Sequence, residues 1–227
     1  MKYWKNDNEL FDLMRNELYT AVVGDAMDNI GYFHQFLSPL IRPLRDDMVV
    51  AGRSMTVLES DTIVEMKSGE AAKNPFGKML EALDDLKENE VYLCAGSSSS
   101  YALLGELMST RAKILGAAGA VVNGYSRDTK GILELNFPSF SYGRYSQDQA
   151  PRGAVIDYRC PLNIDGVKVN DGDIVFGDLD GVCIIPREIE SQIIMAALDK
   201  ARGEKCVAEA IKGGMSASAS WDKYGIM

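Results

Sequence analysis

The sequence predicts a single α/β domain over residues 1–227, with a mixed central sheet and a long C-terminal helix. In residues 91–123 an apolar strand, a loop, an amphipathic helix and a second apolar strand follow one another, which is the βαβ pattern of a parallel pair. In the second half, short apolar segments alternate with Asp-Gly turns, which is typical of antiparallel strands. A chain of 227 residues without an internal repeat or a long linker fits one domain.

The N-terminal third predicts two helices and a strand. Residues 8–31 indicate two short helices, the second capped by Thr20 and ended by Gly31. Residues 32–48 are loop-like. Residues 49–58 are rich in β-formers and predict a strand.

The middle third contains the βαβ pattern itself. Residues 74–89 predict a helix after Pro75, and residues 91–95 predict a buried strand. A serine-rich loop precedes the next helix, which Gly116 ends, and residues 118–123 predict a second buried strand. The apolar face expected for that helix consists of Leu104, Leu107, Met108, Ala112 and Leu115.

The last third predicts two strands and the long helix. Residues 173–176 and 182–185 are strand-like. Pro186 suits the start of a helix over about 187–211, which ends at the two glycines 213–214. A tail rich in small residues follows.

The charge of the chain limits its partners. The formal net charge is −9 and no long run of Lys or Arg occurs, which argues against binding to nucleic acid or to an anionic membrane surface. No stretch resembles a signal peptide or a membrane span of about 20 apolar residues. The expected location is the cytoplasm.

Cysteine and histidine usage excludes several classes of site. The four cysteines form no C-x-x-C pair, and three lie in apolar segments, so they are interpreted as reduced core thiols. The single histidine, His34, excludes a site with several His ligands. It also disfavours a Ser-His-Asp or Cys-His mechanism, and it is interpreted as structural.

A candidate site follows the strand that ends at Asn123. Ligands bind at such strand ends in α/β proteins because loops meet there over a rigid sheet. The planar guanidinium of Arg127 can hold a carboxylate, and the carboxylate of Asp128 is a hard oxygen ligand for Mg²⁺ or Mn²⁺. A surface ion pair is the alternative explanation of these two neighbours.

A second group of residues strengthens the first. The preceding helix starts at residues 105–108, and the free N–H groups of a helix N-terminus bind anions. This start and Arg127 could therefore hold the same carboxylate. Glu106 is also favourable in a first helical turn without any further role.

These residues resemble a known family. Glu106, twenty intervening residues and then Arg127-Asp128 match the (D/E)-x20-R-D signature of the divalent-metal 4-hydroxy-4-methyl-2-oxoglutarate aldolases, which share their fold with the regulator of ribonuclease activity A-like proteins. Further similarity covers most of the chain, in residues 49–57, 116–124 and 170–188. The resemblance implies a swivelling β/β/α-type domain. Glu106 stands where many members have Asp, and residues 59–90 carry extra polar sequence.

The resemblance also implies roles for particular residues. It assigns the metal, Mg²⁺ or Mn²⁺, to Asp128, and catalysis to Glu106 and Arg127, with Glu106 acting on the water shell of the metal. It implies a trimer or a trimer-based hexamer in which Glu204 reaches the site from a neighbouring subunit. The residues expected to bind the substrate are Gly105, Glu106, Leu107, Met108 and Arg127.

The implied reaction is cleavage of a small 4-hydroxy-2-oxo acid to pyruvate, with decarboxylation of oxaloacetate as a side activity. Two other functions compete with this lyase. One is a non-catalytic regulator that binds an RNA-processing enzyme, since the same scaffold serves both classes. The other is a methyltransferase, which the lack of a glycine-rich loop after the first strand disfavours.

Overall fold

The computed structural model describes residues 3–62 and 75–226. Its helices are α1 Asp7–Glu17, α2 Thr20–Asp28, α3 Met79–Asp84, α4 Glu106–Ile114, α5 Thr129–Glu134, α6 Glu190–Lys212 and α7 Ala217–Tyr224. Its strands are β1 Arg42–Pro43, β2 Val50–Asp61, β3 Glu90–Ala95, β4 Ala102–Leu104, β5 Gly119–Val122, β6 Tyr125–Ser126, β7 Ser139–Ser141, β8 Gly153–Tyr158, β9 Leu162–Ile164, β10 Val167–Val169, β11 Ile174–Asp178 and β12 Gly181–Ile185.

The central sheet is mixed, as predicted. Its strands lie in the order β1-β7-β5-β3-β2-β11-β12, and β8 also pairs with β2. Strands β2, β3, β5 and β7 run parallel to one another, whereas β11 is antiparallel to both β2 and β12. The unit β3–α4–β5 confirms the predicted βαβ pattern, because β3 and β5 are adjacent and parallel.

One segment brings the two edges of this sheet together. Leu37 N–H donates to the carbonyl of Val182 at 2.9 Å, and Ile184 N–H donates to the carbonyl of Gln35 at 2.8 Å. A few residues later Pro43 pairs with Phe140 of β7 at the opposite edge. The sheet is therefore nearly closed, and the predicted loop over 32–48 contributes a short strand to it.

Side chains alternate between the inside and the outside of this nearly closed sheet. On β11, Ile174 and Phe176 pack under α1, α2 and α6, whereas Val175 packs inside. On β5, Ala120 packs toward α3, α4 and α5, whereas Val121 packs inside. Alternate side chains of a strand point to opposite faces of the sheet, and here both faces are covered. This explains why the strands are continuous apolar segments in the sequence.

The long C-terminal helix is confirmed with a later start. Residue 187 donates its N–H to Asp173 Oδ1 at 3.0 Å, and the helix begins at Glu190 rather than directly after Pro186. It ends as predicted, with Gly214 at φ +97°. The small-residue tail then forms α7, where the Ser216 side chain accepts from Ala219 N–H, an element that the sequence analysis did not predict.

Two other local predictions need correction. A helix was expected over residues 74–89, but the observed helix is limited to the six residues of α3. Residue 74, where the predicted helix began, lies outside the described residues. Asn89 adopts φ +64°, which no helix interior allows. Thr20 is the first helical residue and not the cap, because its N–H and hydroxyl both donate to the carboxylate of Asp178 at 2.7 Å.

All four cysteines are free thiols. Cys94 and Cys183 are buried, as expected for core thiols, whereas Cys206 is exposed on α6. His34 is exposed in the loop before β1. Within the described ranges, no helix combines the length and the apolar character that a membrane span needs.

Candidate active site

The predicted site forms where two short parallel strands end side by side. Strand β4 pairs with β6, and Arg127 N–H donates to the carbonyl of Leu104 at 2.8 Å. Each strand leads directly into a helix, α4 after Gly105 and α5 after Asp128. The N-termini of α4 and α5 therefore lie side by side. Their helix dipoles make the electrostatic potential at the ends of β4 and β6 more positive.

Gly105 and Asp128 are in close contact. A Cβ atom on Gly105 would lie 2.9 Å from Asp128 Oδ2 and 3.6 Å from Arg127 Nε. Asp128 adopts the left-handed conformation, φ 55° and ψ 32°, which Asp tolerates better than most side chains. Gly105 and Asp128, which are twenty-three positions apart in sequence, thus form one corner of the site.

The guanidinium of Arg127 lies between two carboxylates. Its Nη1 is 3.0 Å from Asp148 Oδ1 and its Nε is 3.5 Å from Asp128 Oδ2. These pairs are partly exposed, so they hold the guanidinium in place without a large contribution to stability. The remaining N–H donors of Arg127 are available to a substrate carboxylate.

The N-terminus of α4 lacks a side-chain cap. Gly105 is the N-cap residue. The first hydrogen bond of the helix is donated by Ser109 N–H to the carbonyl of Gly105, at 3.1 Å. The N–H groups of residues 106–108 therefore remain for an external acceptor. Such a turn beside Arg127 is suited to an anion.

These residues line a cleft of about 380 Å³. Gly105, Arg127, Asp128 and Asp148 form its polar end. Its other walls are mostly apolar and come from α3 and α4, with Phe76, Met79, Leu80, Leu83, Leu107 and Met108 among them. The expected apolar face of α4 is wrong in part, because Leu104 belongs to β4 and Leu107 is 83% exposed at the rim of the cleft.

Glu106 does not line this cleft. Its carboxylate lies against Gly131 of α5, where a side chain on residue 131 would collide with it. Glu106 and Asp128 together line an adjoining depression, so Asp128 is the residue that the two spaces share. The structure thus brings Gly105, Leu107, Met108, Arg127 and Asp128 onto one cleft and places Glu106 beside it.

The donor set fits a cation that keeps most of its water. The described residues contain no cluster of three or more His, Cys, Asp or Glu side chains around one point. Asp128 and Glu106 nevertheless supply hard carboxylate oxygens to the same depression. Mg²⁺ commonly binds through one or two carboxylates and several waters, so these residues suit Mg²⁺ or the similar Mn²⁺.

Glu204 lies elsewhere in the chain. It accepts a hydrogen bond from the Tyr19 hydroxyl and lies 3.7 Å from Lys200 Nζ on α6. Partial burial raises the pKa of Glu204. It is not among the residues that line the cleft of its own chain, so its action from a neighbouring subunit stays a prediction.

Three features in and behind the site were not predicted from the sequence. Asp148 and Gln149 lie in a polar loop with no motif, and nothing in their spacing links them to Arg127. The apolar wall of α3 was predicted as a helix, but its orientation was not. Behind Gln149, Glu59 is only 2% exposed and lies 3.5 Å from the Tyr101 hydroxyl, and burial raises its pKa to about 8.

Comparison with known families identifies the family to which this chain belongs. A family model described as RraA-like, Aldolase/RraA, matches residues 20–184. The chain belongs to the RraA-like family. The similarity expected from the (D/E)-x20-R-D motif is confirmed at this level.

Individual relatives cover the chain to different extents. A Halalkalibacterium halodurans protein, named provisionally as a 4-hydroxy-4-methyl-2-oxoglutarate aldolase, is 28% identical over 199 residues, 87% of each chain. Protein DlpA of Legionella pneumophila is 27% identical over 206 residues, 90% of this chain and 32% of DlpA. The chain therefore spans about a third of the length of DlpA.

A solved structure confirms the fold. Streptomyces coelicolor RraAS2, described as an unusual member of the RNase ES inhibitor RraA protein family, superposes with a TM-score of 0.75 over 89% of this chain and 97% of its own. Its 22% identity shows the fold alone. The predicted swivelling β/β/α-type fold is confirmed, and the family holds both aldolase-named and regulator-named proteins.

Proposed function

We propose that this protein is a divalent-metal-dependent carbon–carbon lyase that cleaves a small 4-hydroxy-2-oxo acid to pyruvate and a carbonyl compound. The observation that carries the proposal is the convergence of Arg127, Asp128 and the uncapped start of α4 on one cleft. The aldolase name of a relative that matches over most of its length supports the same reaction.

Asp128 would hold Mg²⁺ or Mn²⁺ with one carboxylate, and Glu106 would lie beside the water shell of the ion. When bound, the cation would supply Lewis acidity that draws electron density from the 2-oxo group. The absent side chain at Gly105 keeps Asp128 Oδ2 accessible, since a Cβ there would lie 2.9 Å away.

Arg127 and the start of α4 would hold the substrate. The free N–H groups of residues 106–108 and the unpaired donors of Arg127 can hydrogen-bond the oxygens of one carboxylate from two sides. Asp148 keeps the guanidinium oriented toward the cleft from the opposite side. Fixed orientation of this kind lowers the entropic part of the barrier.

The reaction breaks the C3–C4 bond of the substrate. The C4 hydroxyl loses its proton and becomes a carbonyl, while the bond electrons move toward the 2-oxo group and C3 takes up a proton to give pyruvate. Glu106 lies on the far side of Asp128 from the cleft. It would therefore act on this proton through solvent and not by direct contact. Oxaloacetate decarboxylation needs no such base, so it is the expected side activity.

We further propose a trimer or a trimer-based hexamer in which Glu204 completes the site of a neighbouring subunit. The resemblance of the sequence to trimeric aldolases supports this arrangement. The four free thiols support a reducing compartment such as the cytoplasm.

The proposal is tested with Asp128→Ala and with chelation. Wild-type protein with Mg²⁺ should release pyruvate from a 4-hydroxy-2-oxo acid and from oxaloacetate, measured by coupled lactate dehydrogenase. Asp128→Ala should lose this activity by about 100-fold or more, since the group that holds the cation is gone. EDTA should abolish it, and added Mg²⁺ or Mn²⁺ should restore it.

The control is Glu188→Gln, an exposed carboxylate that lines neither the cleft nor the adjoining depression. This variant should keep full activity, and both variants should keep the circular dichroism and melting temperature of the wild type. Full activity in EDTA, or in Asp128→Ala, would contradict the proposal. A folded protein that releases no pyruvate from any substrate tested would favour the regulator alternative.

A further inference from the structure

The cleft has a small charged end and a larger apolar end. Arg127, Asp128 and Asp148 lie at the first. At the second, Met79 and Leu83 are buried in the floor, while Leu80 and Leu107 stand exposed at the rim. A cleft of about 380 Å³ equals the liquid volume of roughly a dozen waters. It therefore has space beyond the carboxylate and 2-oxo group of a substrate.

Among the described residues of this chain, the apolar end of the cleft offers no unpaired cationic partner for a second negative charge. Among the described residues that line the cleft, the cationic side chains are Arg127, assigned above to the substrate carboxylate, and Arg111. The Nε of Arg111 is already 2.7 Å from Asp84 Oδ1, at the exposed rim. Burial of a carboxylate between α3 and α4 would leave its charge uncompensated, which is unfavourable.

We infer that the substrate is a monocarboxylate whose C4 carries an apolar alkyl or aryl group, seated between α3 and α4. This inference rests on the proposed function and narrows it. The carboxylate and the 2-oxo group lie at Arg127 and Asp128, and the apolar group contacts Met79, Leu83 and Met108. Cleavage of the C3–C4 bond then gives pyruvate and an apolar aldehyde or ketone, with the C4 hydroxyl proton transferred and C3 protonated.

The inference is tested first by binding, because binding does not depend on turnover. The probes are 2-oxo-4-phenylbutanoate and 2-oxoglutarate, which differ in the phenyl or carboxylate group on C4 and lack the C4 hydroxyl that cleavage requires. Titration calorimetry with Mg²⁺ should give a dissociation constant for the phenyl compound that is lower by about tenfold or more. Equal or tighter binding of 2-oxoglutarate would overturn the inference.

A matched pair of variants locates the apolar group. Leu80→Lys places a cation at the rim of the apolar end, on a side chain that is 56% exposed. It should shift the ratio of the two dissociation constants toward 2-oxoglutarate by about tenfold. Ile114→Lys makes the same type of change on an exposed α4 residue outside the cleft and should leave the ratio unchanged. Leu107→Lys repeats the test from the α4 side.

Three other outcomes would each overturn the inference. Selective weakening of 2-oxoglutarate binding in Arg111→Met would show that Arg111 binds a second carboxylate. Leu80→Lys, but not Ile114→Lys, could dissociate an oligomer in light scattering, which would make the apolar end a subunit contact. Pyruvate could be released from 4-hydroxy-2-oxoglutarate but not from 4-hydroxy-2-oxo-4-phenylbutanoate, which would keep the lyase and reject the apolar substrate.

A different result would separate this inference from the proposed function. Tighter binding of the phenyl probe without any pyruvate release would reject the lyase and keep the inferred binding preference.

Discussion

Gly105 shows how one missing side chain shapes the site. Its backbone, at φ −136° and ψ 177°, is open to any residue, so conformation does not require glycine there. The requirement comes from space, because Asp128 Oδ2 lies only 2.9 Å from the position that a Cβ would take. The residue is therefore needed for the arrangement of the site and only weakly for stability.

We expect Gly105→Ala to displace Asp128 and to lower pyruvate release by about 10- to 100-fold, because small displacements of reacting groups have effects of this size. The free energy of unfolding should change little, since the backbone conformation suits alanine. Steady-state kinetics and urea unfolding measure the two effects. Gly213→Ala, at the end of α6, is the control and should change neither. Wild-type activity in Gly105→Ala would contradict the close contact.

Glu59 is a buried carboxyl behind the cleft. Burial raises its pKa from the usual 4.5 to about 8, with a smaller contribution from the charge of Asp61, and the nearby Gln149 and Tyr101 oppose the shift. The folded protein therefore binds this proton between pH 4.5 and pH 8, whereas the unfolded chain releases it. Stability is then full below the unfolded pKa and falls as the pH rises through the folded pKa.

Glu59→Gln should remove this pH dependence. Near pH 5 the variant should match the wild type within about 1 kcal/mol, because a protonated carboxyl and an amide are both neutral. At pH 9 the wild type should be less stable than the variant, by an amount on the order of a few kcal/mol. Urea unfolding at pH 5, 7 and 9 measures the difference. The exposed Glu188→Gln should follow the wild type at every pH, and a Glu59→Gln variant that did so too would refute the prediction.

At the scale of elements, Arg53 joins three parts of the fold. It extends from β2, pairs with Asp7 of α1 at 2.9 Å and with Glu190 at the start of α6, and lies over the Phe11 ring. The hydrogen bond from Arg53 lowers the pKa of Asp7. Arg53 and Glu190 are mostly buried, so the loss of one partner would leave the other without compensation.

Arg53→Ala should lower the free energy of unfolding by about 2–4 kcal/mol, since a partly buried charge loses its partner. Denaturant titration at neutral pH measures this change. Arg45→Ala removes an exposed arginine that pairs with Asp47 and should leave stability unchanged within error. The prediction is wrong if the two variants are equally stable.

At the scale of the whole molecule, the proposed assembly makes the site depend on two chains. The cleft lies with α3, α4 and α5, whereas Glu204 lies on α6 beside α2, in the other helical layer. Asp128→Ala and Glu204→Gln should each be inactive alone. Subunits of the two variants can be mixed in equal amounts by reversible dissociation. The mixed oligomers should recover about a quarter of the wild-type activity, because in a cyclic assembly one site in four combines an intact Asp128 with an intact Glu204 of the neighbouring subunit. Failure to recover activity in a confirmed mixed oligomer would reject the role of Glu204.

The sequence determined the class of this molecule because its main signals are local. Apolar periodicity identified the βαβ unit, the antiparallel second half and the long α6, and glycines such as Gly116 and Gly214 marked helix ends. The Arg127-Asp128 pair and the start of α4 were recognisable for the same reason. Each is a contiguous motif at the end of a strand, and twenty residues separate Glu106 from Arg127.

Only the tertiary structure decided which residues complete the cleft. Asp148, Gln149 and the α3 wall come from segments distant in sequence, and no periodicity encodes which of them meet. The same holds for the near closure of the sheet, which depends on residues 35–43 contacting both edges. Glu106 and Leu107 lie in positions that differ from those predicted. The packing of α4 against its neighbours, and not its amphipathic pattern, sets which of its side chains face the cleft. Long-range packing of this kind follows from the fold as a whole, which is why it could not be read from local sequence.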